Sequence, residues 1–105
     1  MSANELWTDQ ELAVSVMAYR LIQALEASSA NFTKSGIRNF VLDEVGLARS
    51  KSSFEKRMGN ISSVLEERGS EWIDGYVPME NVGTKISYRI GRLLDEFPLR
   101  LPAAE

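Results

Sequence analysis

Residues 49–69 read R-S-K-S-S-F-E-K-R-M-G-N-I-S-S-V-L-E-E-R-G, and their large apolar side chains recur at one spacing only. Phe54, Met58, Ile61 and Leu65 stand at i, i+4, i+7 and i+11, which puts all four on one side of an α-helix. A strand would need alternation, so the pattern commits the middle of the chain to a helix buried along one face. Ser52 followed by Glu55 has the form of a capping box, and Gly69 is a natural stop, so the spacing predicts a helix over 52–68.

Three more helices follow from the same reasoning. Thr8 with Glu11 forms a second capping box, with Trp7 and Leu12 at the two positions of a hydrophobic staple, and the helix is predicted over 8–27. Its apolar residues cover more than one stripe, so contact from two sides is expected. Ile37, Phe40, Val41 and Val45 give a helix over 33–45 that stops at Gly46. Ile86, Ile90, Leu93, Leu94 and Phe97 give a helix over 84–97 that stops at Pro98. The segment 72–79 mixes Trp, Tyr, Gly and Pro and reads as an ordered connection, with a short extended piece at 72–73 or 76–77. It is expected to pack over the core, with a partner-binding role as the alternative. The expected fold is a single all-α domain: a three-helix, helix-turn-helix-like bundle plus a fourth C-terminal helix. Trp7, Leu12, Val16, Tyr19, Ile37, Phe40, Val41, Phe54, Met58, Ile61 and Leu65 are the expected core.

Composition narrows the chemistry. The 105 residues contain no cysteine and no histidine. Disulfides, thiolate metal sites, cysteine nucleophiles and the commonest neutral-pH general base are therefore excluded. Asp43–Glu44 and Glu66–Glu67 are adjacent carboxylates, which point about 100° apart on a helix and so do not share a site. No Walker, dinucleotide-binding or nucleophile-elbow pattern is present. The expectation is a non-enzymatic chain without cofactor or metal. The N-terminus has no secretory pattern and no run reaches the roughly 20 apolar residues of a membrane span, so a cytoplasmic, membrane-free protein is expected.

The net charge is −3, but residues 34–57 hold six basic residues against three acids. That local +3 leaves −6 for the remainder. With Phe54 at 0°, Lys56, Asn60 and Ser63 fall at about 200°, 240° and 180°, opposite the apolar face. Asparagine can pair with an adenine edge, lysine with guanine or phosphate, and serine with either. Arg49, Ser50, Lys51 and Ser52 lie at the helix start, where free N–H groups favour an anion, and Arg57 adds a further cation. These eight residues are the expected DNA-binding set. Asn60 is the expected base reader, and Arg49, Lys51, Lys56 and Arg57 the phosphate contacts. The alternative is an ordinary amphipathic helix in a protein–protein interaction or dimerisation module.

Two resemblances bear on this. W-T-D-Q-E-L at the first helix, with R-S-x-S-S-x-x-x-R-x-x-N-I at the third, resembles the Myb/SANT three-helix layout, without that family's later tryptophans. The same opening, the 49–69 block and W-I-D-G-Y-V-P-M-E-N-V together resemble an N-terminal helical module of bacterial HNH and modification-dependent restriction proteins. The likeness spans about 7–82, with Ser53 where that pattern has glycine and Phe54 where it has isoleucine. It implies an accessory domain of a restriction or defence protein. The partners it implies are double-stranded DNA, unmodified or modified, and a nuclease domain on the same or another chain.

Overall fold

The computed structural model describes residues 6–100. It is all-helical, with four helices in a compact bundle and no strand among the described residues. Helix α1 spans Asp9–Ala27 and α2 spans Lys34–Phe40, continuing as a π-helical turn over Val41–Val45. Helix α3 spans Lys51–Glu67 and α4 spans Thr84–Glu96. None is long and apolar enough to cross a membrane.

The capping box of α1 forms as its sequence requires. Glu11 N–H donates to Thr8 Oγ1 at 3.0 Å, and Thr8 N–H donates back to Glu11 Oε1 at 2.9 Å. Trp7 and Leu12 are both buried in the core, which fixes the entry of the chain into α1. Leu12, Val16, Tyr19 and Ile22 then project inward against Phe54, Met58, Ile61 and Leu65 of α3 and Ile90 and Leu94 of α4.

Helix α3 starts earlier than its sequence suggests. Ser50 is the cap, accepting from Ser53 N–H at 3.1 Å, and Ser52 lies inside the first turn. Glu55, expected to complete a box with Ser52, instead pairs with Arg38 at 3.0 Å. The second correction concerns α2. Phe40 is exposed and Ile37 only half buried, because the core-facing direction runs through Ile37 and Val41 and leaves Phe40 to one side. The π turn then widens the spiral. Gly46 and Leu47 N–H groups both reach back to the Val41 carbonyl at 3.1 Å, so Leu47 enters the core and Val45 faces solvent.

The 72–79 connection packs on the core through part of its length. Ile73 and Tyr76 are buried, whereas Trp72, Val77 and Met79 are exposed. Tyr19 is the hub that seats it: its hydroxyl accepts from Ile73 N–H at 2.9 Å and bonds Ser62 Oγ at 2.7 Å. Tyr76 stacks beside Tyr19, ring centroids 6.1 Å apart, but its buried hydroxyl has no partner.

Burial, with the charge of Glu55 behind it, pushes the Tyr76 phenol up to about 12. Burial also raises Tyr19. A phenol whose folded-state pKa exceeds its unfolded value near 10 stabilises the fold below that value and ceases to do so as pH rises through the folded pKa. Stability should therefore fall between about pH 10 and pH 12, with Tyr76 alone contributing up to about 1.4 kcal/mol per pH unit. Tyr76→Phe removes an unpaired buried polar group and should be neutral or stabilising by up to about 1 kcal/mol at neutral pH. Denaturant melts at pH 7 and pH 11 test both expectations; a variant as alkali-sensitive as the parent would refute the assignment to Tyr76.

Candidate nucleic-acid interface

The side of α3 expected to read DNA is largely covered. Gly59 is bare because the connection lies on it: a Cβ there would stand 2.8 Å from Met79 Cγ and 3.1 Å from the Val77 carbonyl oxygen. Ser63 Oγ accepts from Met79 N–H and contacts Met79 O, each at 2.6 Å. Asn60 is only 5% exposed. Its carbonyl oxygen accepts from Arg57 Nη1 at 2.7 Å, and its amide nitrogen reaches Met79 Sδ at 3.6 Å. Asn60 and Ser63 therefore hold the connection down, and the exposed reading face expected from helical phasing is corrected. The phasing itself is right, since the apolar side of α3 is fully buried. A one-helix reading has no means of seeing a loop folded back from 16 to 20 residues downstream.

The cations of the set separate into two groups. Arg49 turns toward α1. Its Nη2 and Nε donate to the two Glu11 carboxylate oxygens at 2.7 and 3.1 Å, which, with the Thr8 hydrogen bonds, holds the Glu11 pKa below the usual carboxylate value. Arg57 is half buried. The Arg49 and Arg57 guanidinium carbons lie 4.6 and 4.5 Å from the centroid of the Trp7 ring. Arg89 of α4 donates to the Trp7 carbonyl at 2.7 Å and pairs with Asp9 at 2.8 Å. Trp7 thus collects three arginines from three segments. Arg57 has no carboxylate among its hydrogen-bond partners, and its Nε is buried without a partner. Burial and the neighbouring Arg49 and Arg89 charges lower its pKa. Lys51, Ser52 and Lys56, by contrast, stand exposed on the first two turns of α3, beside the exposed cap Ser50. Neither lysine joins an ion pair within the described residues.

Sequence reasoning missed Trp7 as a cation platform, Glu11 as the partner of Arg49, and Met79 as the cover of α3. Trp7 was legible only as a staple, since nothing in its local sequence points to arginines 42 and 50 residues away. N-I-S of α3 and I-D-G-Y-V-P-M of the connection meet through Asn60–Met79, Ile61 in the core, and the Ser62–Tyr19–Ile73 relay. Among the described residues no group of three acidic side chains is placed to hold a metal ion. No family model, no curated protein and no solved structure matches the chain.

Proposed function

We propose that this chain is a non-catalytic DNA-contacting module, meeting the duplex through the rim Ser50–Lys51–Ser52–Lys56 and not through the Asn60–Ser63 face. The observation that carries the reading is the pair of exposed, unpaired lysines at the open start of α3, backed by the arginine cluster at Trp7. Residues 49–57 carry Arg49, Lys51, Lys56 and Arg57 against Glu55, a local +3 in a chain of net −3. Phosphate attraction is local on the scale of a Debye length of about 8–10 Å, so this patch matters more than the total. Such a rim positions a protein on a phosphate backbone and reads little sequence. The motif likeness to restriction-type modules supports a setting beside a nuclease domain in a defence protein.

Binding should be weak and steeply salt-dependent. With two or three phosphate contacts, log affinity should fall against log salt with a slope of about −2. The double change Lys51→Glu with Lys56→Glu should abolish measurable binding while leaving the helical signal intact. Fluorescence anisotropy on unmodified and cytosine-modified duplexes at two salt concentrations provides the measurement. Unchanged binding by the double variant would sink this reading. A second reading, a protein-interaction module, is favoured by a different observation, the uncovered outer face of α1.

A further inference from the structure

Helix α1 is apolar on the side that faces water. Its buried residues Leu12, Ser15, Val16, Ala18, Tyr19 and Ile22 occupy one half of the helical wheel. Ala13, Met17, Leu21 and Ala24 occupy an arc of about 80° centred opposite that half. Met17 is 51% exposed and Leu21 44%. Gln10 is the one polar residue of α1 on that arc; Arg20 stands at its edge and is turned aside: its Nε donates to the Phe97 carbonyl at 2.7 Å and its Nη2 to the Leu94 carbonyl at 3.2 Å. Beside the strip runs the edge of α4. A cleft of about 390 Å³, reached by Ala13, Tyr88, Leu93 and Phe97, adjoins one of about 330 Å³ reached by Met17, Leu21 and Pro98, and Glu96 and Phe97 line both. The result is a groove some four helical turns long on the outside of the bundle, lined by these apolar residues and by Asp9, Gln10, Arg92, Glu96 and Arg100.

We propose that a second copy of this chain covers the groove, with the two α1 helices antiparallel about a two-fold axis at Met17. The spacing is self-complementary on reversal. Met17 meets its counterpart, Leu21 of one copy lies over Ala13 of the other, and Ala24 lies over Gln10, so that large meets small along the seam. The charges at the rim agree. Arg92 and Glu96 sit one turn apart on α4, both exposed and neither in an ion pair within the described residues. The bonds from Arg20 to Leu94 and Phe97 bring that turn roughly level with Met17, so reversal sets each Arg92 against the other copy's Glu96. The size is modest. A two-helix face about 21 Å long and about 20 Å wide covers about 400 Å² per copy, half of the roughly 800 Å² of a standard interface. The dimer is accordingly weak, with a Kd of roughly 10–100 μM. This inference is independent of the DNA reading, since it uses other residues and another measurement.

Sedimentation equilibrium of the full chain from about 1 to about 500 μM, a range that brackets such an affinity, tests it. The average mass should rise from one copy toward two. Met17→Glu should keep it at one copy throughout, with an unchanged helical spectrum. Arg92→Glu and Glu96→Arg should each weaken association by about tenfold or more, and the two together should restore it to within about threefold, as expected when like charges face each other and are then re-paired. A single-copy mass at every concentration overturns the proposal, as does a dimer indifferent to Met17→Glu. Failure of the double reversal to restore association overturns the antiparallel arrangement.

Discussion

Phe54→Ala should destabilise the fold by about 3–5 kcal/mol, the usual cost of removing a fully buried aromatic side chain. Phe54 is 0% exposed and lies in the first turn of α3, inside the cluster that contains Leu12, Val16, Met58 and Ile61. It is among the largest fully buried side chains of the domain, so its removal leaves a correspondingly large space. A domain of this size has about 5–15 kcal/mol in total, so the loss should be visible as a large drop in the urea midpoint at unchanged slope. Ile61→Ala, one face-repeat further along, should follow at about 2–5 kcal/mol. A midpoint moved by less than the equivalent of about 1 kcal/mol for either would mean that α3 does not present this side to the core.

Gly59→Leu should be the most damaging change on the opposite side of the same helix. The position admits no Cβ without movement of Met79, and the Val77 carbonyl oxygen is backbone that has no rotamer to change. Forcing a large side chain under the connection should cost about 1–3 kcal/mol and should lift Met79 from Ser63. Hydrogen exchange at the Met79 amide would then become fast while amides in the core of α3 stay protected. Gly59→Ala should be far milder. Its Cβ still displaces Met79 Cγ and presses the Val77 carbonyl oxygen, but the helix propensity of alanine over glycine offsets about 1 kcal/mol of that cost. A Leu variant with native melting and a protected Met79 amide would show that the connection is not seated on α3 as described.

These two positions also show what the sequence carries and what it does not. The periodicity of Phe54, Met58, Ile61 and Leu65 specifies which side of α3 is buried, because a helix has one phase and four large apolar residues determine it. The cap at Thr8 was legible for the same local reason: both of its bonds are made within four residues. The cap of α3 was not, because three serines, Ser50, Ser52 and Ser53, stand within four residues at its start and all are able to serve; Ser50 takes the Ser53 N–H, and Glu55 pairs with Arg38 instead of closing a box with Ser52. Gly59 gives no sign in its local sequence that it is the bed of the chain's own connection. Asn60 has the polar chemistry of a base reader and spends it on Arg57 and Met79. In each such case the deciding contact comes from far along the chain, and its partner residue is unremarkable in its own surroundings. The outer stripe of α1 is the reverse case. Its apolar character was plain and implied contact from more than one side; α3, α4 and α2 all pack on α1, yet Met17 and Leu21 are left in water.

The clasp around Trp7 bears on how the domain opens. The first turn of a helix is ordinarily where unwinding starts, with backbone groups unpaired and few contacts to lose. Here that turn is fastened to Arg49, Arg57 and Arg89, residues 42, 50 and 82 positions further along the chain. Each of those contacts closes a loop of at least 42 residues, and the full clasp needs Arg89 of α4, so it is completed late in folding. Once closed, it links the beginning of α1 to α3 and α4. The N-terminal turn should accordingly exchange its amides only when the whole bundle comes apart, and Trp7 emission should report global unfolding, whereas the exposed Trp72 reports the connection alone.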